Sequence, residues 1–237
     1  VVGTNVFNMK NSEFSFRKGP IFSNVVLIDE INRAPAKTQS ALFEVMEEFQ
    51  VTVDGETYKM NQPYFVLATQ NPIEQEGTYK LPEAQLDRFL FRILIDYPNL
   101  EDEIEILNRF SEDFNQLQKS DVKAVISGEE IMKFRAIVEK TTIEEGLLKY
   151  IAKVVLETRN NPNLYLGASP RASLAILKAS KASAAINGRH YVTPDDVKRV
   201  AFSVLNHRIM LTPEREMEGY DSSQVISEIL NKIEIPR

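Results

Sequence analysis

An apolar run that ends in two acids, VVLIDE at residues 25–30, constrains the fold of this chain more than any other feature. Four consecutive apolar residues of this kind predict a strand buried on both faces, as in a parallel sheet. Ligands of open parallel sheets bind beyond the carboxyl ends of the strands, so we expect chemistry at Asp29 and Glu30. Neighbouring strand side chains point in opposite directions, which would let one acid hold Mg²⁺ while the other faces an attacking water. An ordinary strand end is the alternative, and this segment alone supports both equally.

The chain holds further pairs of adjacent acids, which lack this apolar lead-in. They follow polar, helix-like sequence, which predicts that they lie on solvated helix faces. They include Glu47-Glu48, Glu112-Asp113, Glu129-Glu130, Glu144-Glu145 and Asp195-Asp196. We therefore expect only the Asp29-Glu30 pair to carry chemistry.

Other segments predict the elements around the acidic strand. Residues 64–69 predict a second buried strand, and residues 89–95 a third. Apolar side chains at helical spacing predict a helix over residues 36–49 that packs on the sheet. Partial alternation at residues 5–16 and an Asp-Gly turn within residues 51–60 predict two β-hairpins.

From residue 101 onward the apolar pattern is helical almost throughout, which predicts an all-α bundle. Helices are expected over residues 171–186, 194–208 and 223–233. Thr193 is a good N-cap residue, and the proline and two acids that follow it favour a helix N-terminus. We place the domain boundary at residues 97–99.

Composition excludes several kinds of site. The chain has 237 residues and no Cys, so disulfides, thiolate zinc sites and cysteine nucleophiles are excluded. The two histidines, His190 and His207, belong to no ligand-like cluster, and packing or surface roles are expected for both. The net charge of −6 argues against a general nucleic-acid or anionic-membrane surface. No apolar run approaches membrane-spanning length, so we expect a cytoplasmic protein without a membrane partner.

Four motifs in this order resemble those of an AAA+ ATPase of the MoxR family. Residues 25–30 are similar to its Walker B strand, and ATQNP at residues 68–72 to its sensor 1 strand end. LPEAQLDRF at residues 81–89 resembles the arginine-finger region, and GASPRA at residues 167–172 the sensor 2 motif. Each motif is weak alone, but the four together span nearly the whole chain.

The resemblance implies an α/β fold with a P-loop NTPase-type AAA+ core. This core would occupy residues 1–97, with a parallel sheet that is incomplete at its N-terminus. An all-α lid domain would follow over residues 98–237. The two predicted hairpins would be the helix-2 and pre-sensor-1 insertions of the clade that contains this family.

The resemblance also implies that ATP and Mg²⁺ are bound. Asp29 would hold Mg²⁺, directly or through water, because hard oxygen ligands suit this ion. Glu30 would polarise the attacking water, and Asn71 would orient that water near the γ-phosphate. The alternative for Asn71 is a turn residue at a strand end before Pro72.

Two arginines would complete the site. Arg88 is the candidate arginine finger, inserted into the site of a neighbouring subunit, and Arg92 is close enough in sequence to share this role. From the local sequence alone, Arg88 is instead a surface partner for Asp87 or Glu83. Arg171 would contact the γ-phosphate from the start of a lid helix, where the N-terminus already favours anions. Its alternative is a solvated helix face.

The phosphate loop of such a site, G-x-x-x-x-G-K-[ST], is not found in these residues, because no Gly of the chain is followed by Lys. We expect the loop upstream of Val1, and we expect the 237 residues alone to bind ATP poorly.

The implied function is an ATP-driven, chaperone-like remodelling of partner proteins. A finger that acts in trans implies a homo-oligomeric ring, expected to be hexameric, and von Willebrand factor A-domain proteins are among the expected partners. The alternative is a non-catalytic AAA-like binding module without the phosphate loop. A nucleic-acid motor is a third option, and the acidic net charge argues against it.

Overall fold

The computed structural model describes residues 1–9, 13–71, 81–111 and 123–235. The first part of the chain mixes strands with helices, as the sequence predicts. Its elements are β1 (Gly3–Asn8), β2 (Glu13–Lys18), β3 (Val25–Ile28), α1 (Ala36–Glu48), β4 (Gln50–Val53), β5 (Glu56–Lys59), β6 (Phe65–Ala68) and α2 (Glu83–Leu86).

The second part is helical, as predicted, with one small sheet added. Its elements are α3 (Leu100–Ser111), α4 (Gly128–Lys140), α5 (Glu145–Asn160), β7 (Leu164–Leu166), α6 (Pro170–Ile186), α7 (Pro194–Leu205), β8 (Met210–Leu211), α8 (Pro213–Met217) and α9 (Ser222–Lys232). The short strands β7 and β8 pair antiparallel within this helical region. None of the helices in the described part of the chain is both long and apolar enough to cross a membrane.

Strand β3 pairs with β6 in parallel, which confirms the predicted parallel sheet. The register runs from Val25 opposite Phe65 to Ile28 opposite Ala68, so both strands end at the same level. The prediction that β3 is buried on both faces is wrong. Val26 is 6% exposed, whereas its neighbours Val25 and Leu27 are 61% and 67% exposed. Side chains alternate along a strand, and within the described residues only one face of β3 packs on a core.

The third strand, predicted over residues 89–95, is not formed in the structure. The backbone here bonds to the helical region instead of to a strand. The amide of Arg92 donates to the carbonyl of Ser203 at 2.9 Å, and the side chain of Asn206 donates to the carbonyl of Arg92 at 3.2 Å. The apolar residues of this segment favour a strand, but a strand also needs a neighbouring strand to pair with.

Both hairpins are present where the sequence predicts them. Strands β1 and β2 pair antiparallel; residues 10–12 of their turn lie outside the described residues. Strands β4 and β5 are joined by Asp54 and Gly55, whose φ angles are +50° and +86°. Two successive positive φ angles suit the right-handed twist of a two-residue hairpin, and Gly55 adopts its angle without a side-chain clash.

Buried apolar side chains form two separate clusters. The first surrounds α1 and includes Ile21, Leu42, Val45 and Val51. The second joins α5, α6, α7 and α9 and contains most of the buried side chains of the helical part. Helix α1 therefore lies at the centre of the first core, directly after the acids of β3.

The predicted N-cap of α7 is present and extends into a buried ion pair. The backbone amide of Thr193 donates to the Asp196 carboxylate at 2.9 Å, and both terminal nitrogens of Arg189 bind the same carboxylate at 2.6 and 2.7 Å. Burial opposes ionisation of Asp196, but these bonds outweigh it and hold its pKa well below the usual range. Asp196 is thus a buried structural acid, and its predicted place on a solvated face is wrong.

Candidate active site

The carboxyl ends of β3 and β6 are joined by one side chain, Thr69. Its hydroxyl donates to Asp29 Oδ1 at 2.5 Å and accepts the backbone amide of Glu30 at 2.9 Å. Its own amide donates to the carbonyl of Ile28 at 2.9 Å, and its carbonyl accepts the amide of Ile31 at 3.0 Å. Thr69 therefore fixes the direction of the Asp29 carboxylate.

Thr69 lies within the ATQNP motif, but the sequence analysis assigned it no role. Its position along the strand could have indicated a role. Thr69 directly follows β6 and Asp29 directly follows β3, so the two residues lie side by side when the strands pair in parallel.

Glu30 adopts the left-handed backbone conformation, with φ 51° and ψ 54°. This conformation is uncommon for a residue other than Gly, and it turns the chain from β3 into a 3₁₀ turn at Ile31–Arg33. The Glu30 carboxylate pairs with Arg33 Nε at 3.3 Å, and both side chains are more than 40% exposed. Such an exposed pair is weak, so the carboxylate can exchange Arg33 for another partner.

Asn71 follows Thr69 by two residues and is exposed at the same end of the sheet. The structure thus brings Asp29, Glu30 and the connection that carries Asn71 to one edge. This edge provides acidic, hydroxyl and amide groups from two adjacent strand ends.

The donor set at this edge fits a nucleotide-bound Mg²⁺ ion. Within the described ranges, no group of three or more His, Cys, Asp or Glu side chains is placed to hold a metal by itself. Mg²⁺ usually keeps several waters and binds through one or two carboxylates together with substrate phosphates. The exposed Asp29 carboxylate, with one oxygen already oriented by Thr69, matches that requirement.

The two predicted arginines, Arg88 and Arg171, meet at one carboxylate. Arg88 Nη1 pairs with Glu47 Oε2, and Arg171 Nη2 pairs with Glu47 Oε1. Burial and the positive charge of Arg171 lower the pKa of Arg88. The local alternative for Arg88, a surface pair with Asp87 or Glu83, is replaced by this pair with the C-terminal turn of α1.

Asp87, the neighbour of Arg88, binds the helical part of the chain. Its carboxylate accepts Arg208 Nε at 2.8 Å and the Ser169 hydroxyl at 2.6 Å. Arg208 Nη2 also donates to the carbonyls of Asp87 and Phe89, at 3.0 and 2.6 Å. The buried Arg208 side chain therefore fixes the backbone that carries Arg88.

His207 lies beside Arg208 and binds the carbonyl of Phe89. We expect this histidine to make the stability of the protein depend on pH. Burial, followed by the positive charge of Arg208, lowers the pKa of His207 to about 4, against the effect of its hydrogen bond to the Phe89 carbonyl. As the pH falls below 6.5, His207 of the unfolded chain binds a proton, whereas His207 of the folded chain does so only near pH 4. The free energy of unfolding therefore decreases as the pH is lowered from 6.5 to 4. The loss amounts to about 3 kcal/mol across that window.

Urea denaturation of wild type, His207→Gln and His190→Gln at several pH values between 7 and 4 measures this effect. His207→Gln keeps a side-chain nitrogen near Phe89 but cannot titrate, so its stability should fall less steeply than that of wild type. His190→Gln makes the same substitution at an exposed histidine and is the matched control. Parallel curves for wild type and His207→Gln would contradict the assignment.

Two family profiles match the chain. The profile described as "ATPase family associated with various cellular activities (AAA)" matches residues 1–91, and "AAA lid domain" matches residues 156–229. An uncharacterized protein of Bacillus subtilis, YeaC, is 44% identical over 236 residues, which cover 100% of this chain and 73% of YeaC.

Two further relatives cover the whole chain. Chaperone MoxR1 of Mycobacterium tuberculosis is 40% identical over 246 residues, and the match covers 64% of MoxR1. The crystal structure of a candidate ATPase from Cytophaga hutchinsonii superposes with a TM-score of 0.88 at 43% identity, and the match covers 73% of that protein. With its acid-tipped parallel strands and helical second part, the chain belongs to the MoxR family of AAA+ ATPases.

Proposed function

We propose that the intact protein hydrolyses ATP and uses the energy for chaperone-like remodelling of partner proteins. One observation carries the ATPase part of this proposal: Asp29 and Glu30 stand at the end of β3, beside Thr69 at the end of β6. The similarity of the chain to the chaperone MoxR1 supports the remodelling part.

Each group at the strand ends has a distinct chemical role in this proposal. Asp29, oriented by Thr69, holds Mg²⁺, which supplies charge neutralisation for the phosphates when it is bound. Glu30 leaves Arg33 and accepts a proton from the attacking water as general base. Asn71 orients that water with a neutral amide. Phosphoryl transfer to water needs positioning and charge more than covalent chemistry, and these groups supply both.

The arginines are proposed to serve a different subunit from the acids. Glu47 follows Ala36 by 11 residues within α1, so at 1.5 Å per residue it lies about 16 Å along the helix from the end next to Glu30. Arg88 and Arg171 meet at this far end. The separation favours their insertion into a neighbouring site, and hence a ring of identical subunits, which we propose is hexameric.

We further propose an AAA+ core at residues 1–97 and a lid at residues 98–237. The two separate apolar clusters support this division. Proteins with von Willebrand factor A domains are proposed partners, and the cytoplasm is the proposed location. Arg92 bonds to α7 through its backbone, whereas the side chain of Arg88 reaches the shared carboxylate, so Arg88 is the proposed finger.

Phosphate release and nucleotide binding by the full-length protein test the proposal. We expect Mg²⁺-dependent turnover that stops when the metal is chelated, together with an oligomer in size-exclusion chromatography. If the full-length protein neither binds nor hydrolyses ATP, the ATPase proposal is wrong and the chain is a binding module.

A further inference from the structure

Glu47 is the acid that the sequence assigned to a solvated helix face. In the structure its side chain is 33% exposed, and it lies in the last turn of α1. Each of its carboxylate oxygens binds a different arginine, Arg88 at Oε2 and Arg171 at Oε1. One acid therefore joins two arginines that are 83 positions apart in the chain.

The electrostatic balance of this cluster depends on Glu47. Two guanidinium groups at one place repel each other, and the pKa of Arg88 is lowered first by burial and then by this repulsion. The Glu47 carboxylate offsets it because it forms a charge-assisted bond to each group. The carbonyl groups at the C-terminal end of α1 also favour nearby cations.

Helix α1 supports Arg88 at a second point. Phe43 precedes Glu47 by one helical turn, so both side chains lie on the same face of α1. The guanidinium carbon of Arg88 lies 6.0 Å from the centroid of the Phe43 ring, within the range of a cation–π contact. The face formed by Phe43 and Glu47 thus limits the positions that the Arg88 side chain can take.

We infer that Glu47 is a positioning residue that gathers Arg88 and Arg171 into one unit and presents both to the phosphates of a neighbouring subunit. The inference rests on the proposed ATPase function. Glu47 itself does not touch the nucleotide in this scheme. Its carboxylate holds the two arginines at a fixed separation until the more highly charged phosphates compete for them.

The test is steady-state ATP hydrolysis by the full-length protein with Glu47→Gln, Glu47→Asp and Glu48→Gln. Glu47→Gln is nearly isosteric but uncharged, so it should lower turnover about tenfold or more, because misplacement of a reacting group by about 1 Å can cost about 10²-fold. Glu47→Asp keeps the charge and should recover part of the loss. Glu48→Gln is the matched control on the adjacent exposed position and should behave like wild type.

Mixed oligomers distinguish positioning from a general structural role. In a mixture of Glu47→Gln with Glu30→Gln subunits, a site can combine the intact acids of the first with the intact arginine cluster of the second. Turnover should therefore rise above that of either variant alone. A loss of folding or of activity in the subunit's own site would not be restored in this way.

Three results would overturn the inference while the wild-type protein hydrolyses ATP. They are unchanged turnover in Glu47→Gln, increased turnover, or a loss that mixing with Glu30→Gln subunits does not restore. Absence of turnover in the wild-type protein would overturn the proposed ATPase function as well, so the two failures are distinguishable. If Glu47→Gln does not fold, Glu47→Asp in the same mixtures takes its place, with a smaller loss that mixing restores.

Discussion

Glu30→Gln in the full-length protein is expected to lower kcat for ATP hydrolysis by about 10²- to 10⁴-fold, the usual contribution of a general base. The amide keeps the size of the side chain but cannot accept a proton from water. ATP binding should persist, because Asp29 and its bond to Thr69 are unchanged. Phosphate release under saturating ATP and the binding of a fluorescent ATP analogue measure the two effects separately.

The matched control for this variant is Glu48→Gln, which makes the same chemical change at an exposed position of α1. The free energy of unfolding should change little in Glu30→Gln, because the pair that its carboxylate forms with Arg33 is exposed. Turnover close to that of wild type would exclude Glu30 as the base.

Arg88→Ala is expected to lower turnover by about 10³-fold or more, in the range known for arginine fingers. The subunit should remain folded, because Asp87, Phe89 and Leu90 stay bound to the buried Arg208. Urea denaturation should therefore show a change of only about 1 to 2 kcal/mol for the partly exposed Arg88 side chain. Arg135→Ala, on the exposed surface of α4, is the matched control.

Mixing Arg88→Ala with Glu30→Gln subunits shows whether the finger acts in trans. Each variant is defective in a different half of a shared site, so some interfaces in a mixed ring regain both halves. Turnover should rise with the proportion of mixed rings and reach a maximum at intermediate ratios. Mixtures that stay as inactive as the separate variants would place Arg88 in the site of its own subunit.

The sequence predicted those features of the fold that depend on nearby residues. The hairpin at Asp54-Gly55, the helix before Phe49 and the cap at Thr193 are local, since their signals lie within a few positions. The parallel pairing of β3 and β6 was also predictable, because both are apolar runs that end in polar residues. Asp29 and Glu30 were proposed as site residues for the same reason.

The features that sequence reasoning missed depend on distant partners. Arg171 is 124 residues from Glu47, and Arg208 is 121 residues from Asp87. An acid at the end of a helix has the same local pattern whether it faces water or two arginines, so Glu47 could not be told from Glu48. The prediction of a strand at residues 89–95 was wrong for the same reason, because the backbone of this segment forms hydrogen bonds with residues 203–206.

The bonds from Asp87 to Arg208 and Ser169 couple the position of Arg88 to the helical part of the chain. Ser169 caps α6 and Arg208 lies just after the end of α7, and both bind Asp87, the residue next to the one that carries the guanidinium group. If the helical part turns as a block while these bonds hold, the arginine must travel with it. In the proposed ATPase, a rotation of the helical part would therefore move this guanidinium group relative to the nucleotide of the adjoining subunit.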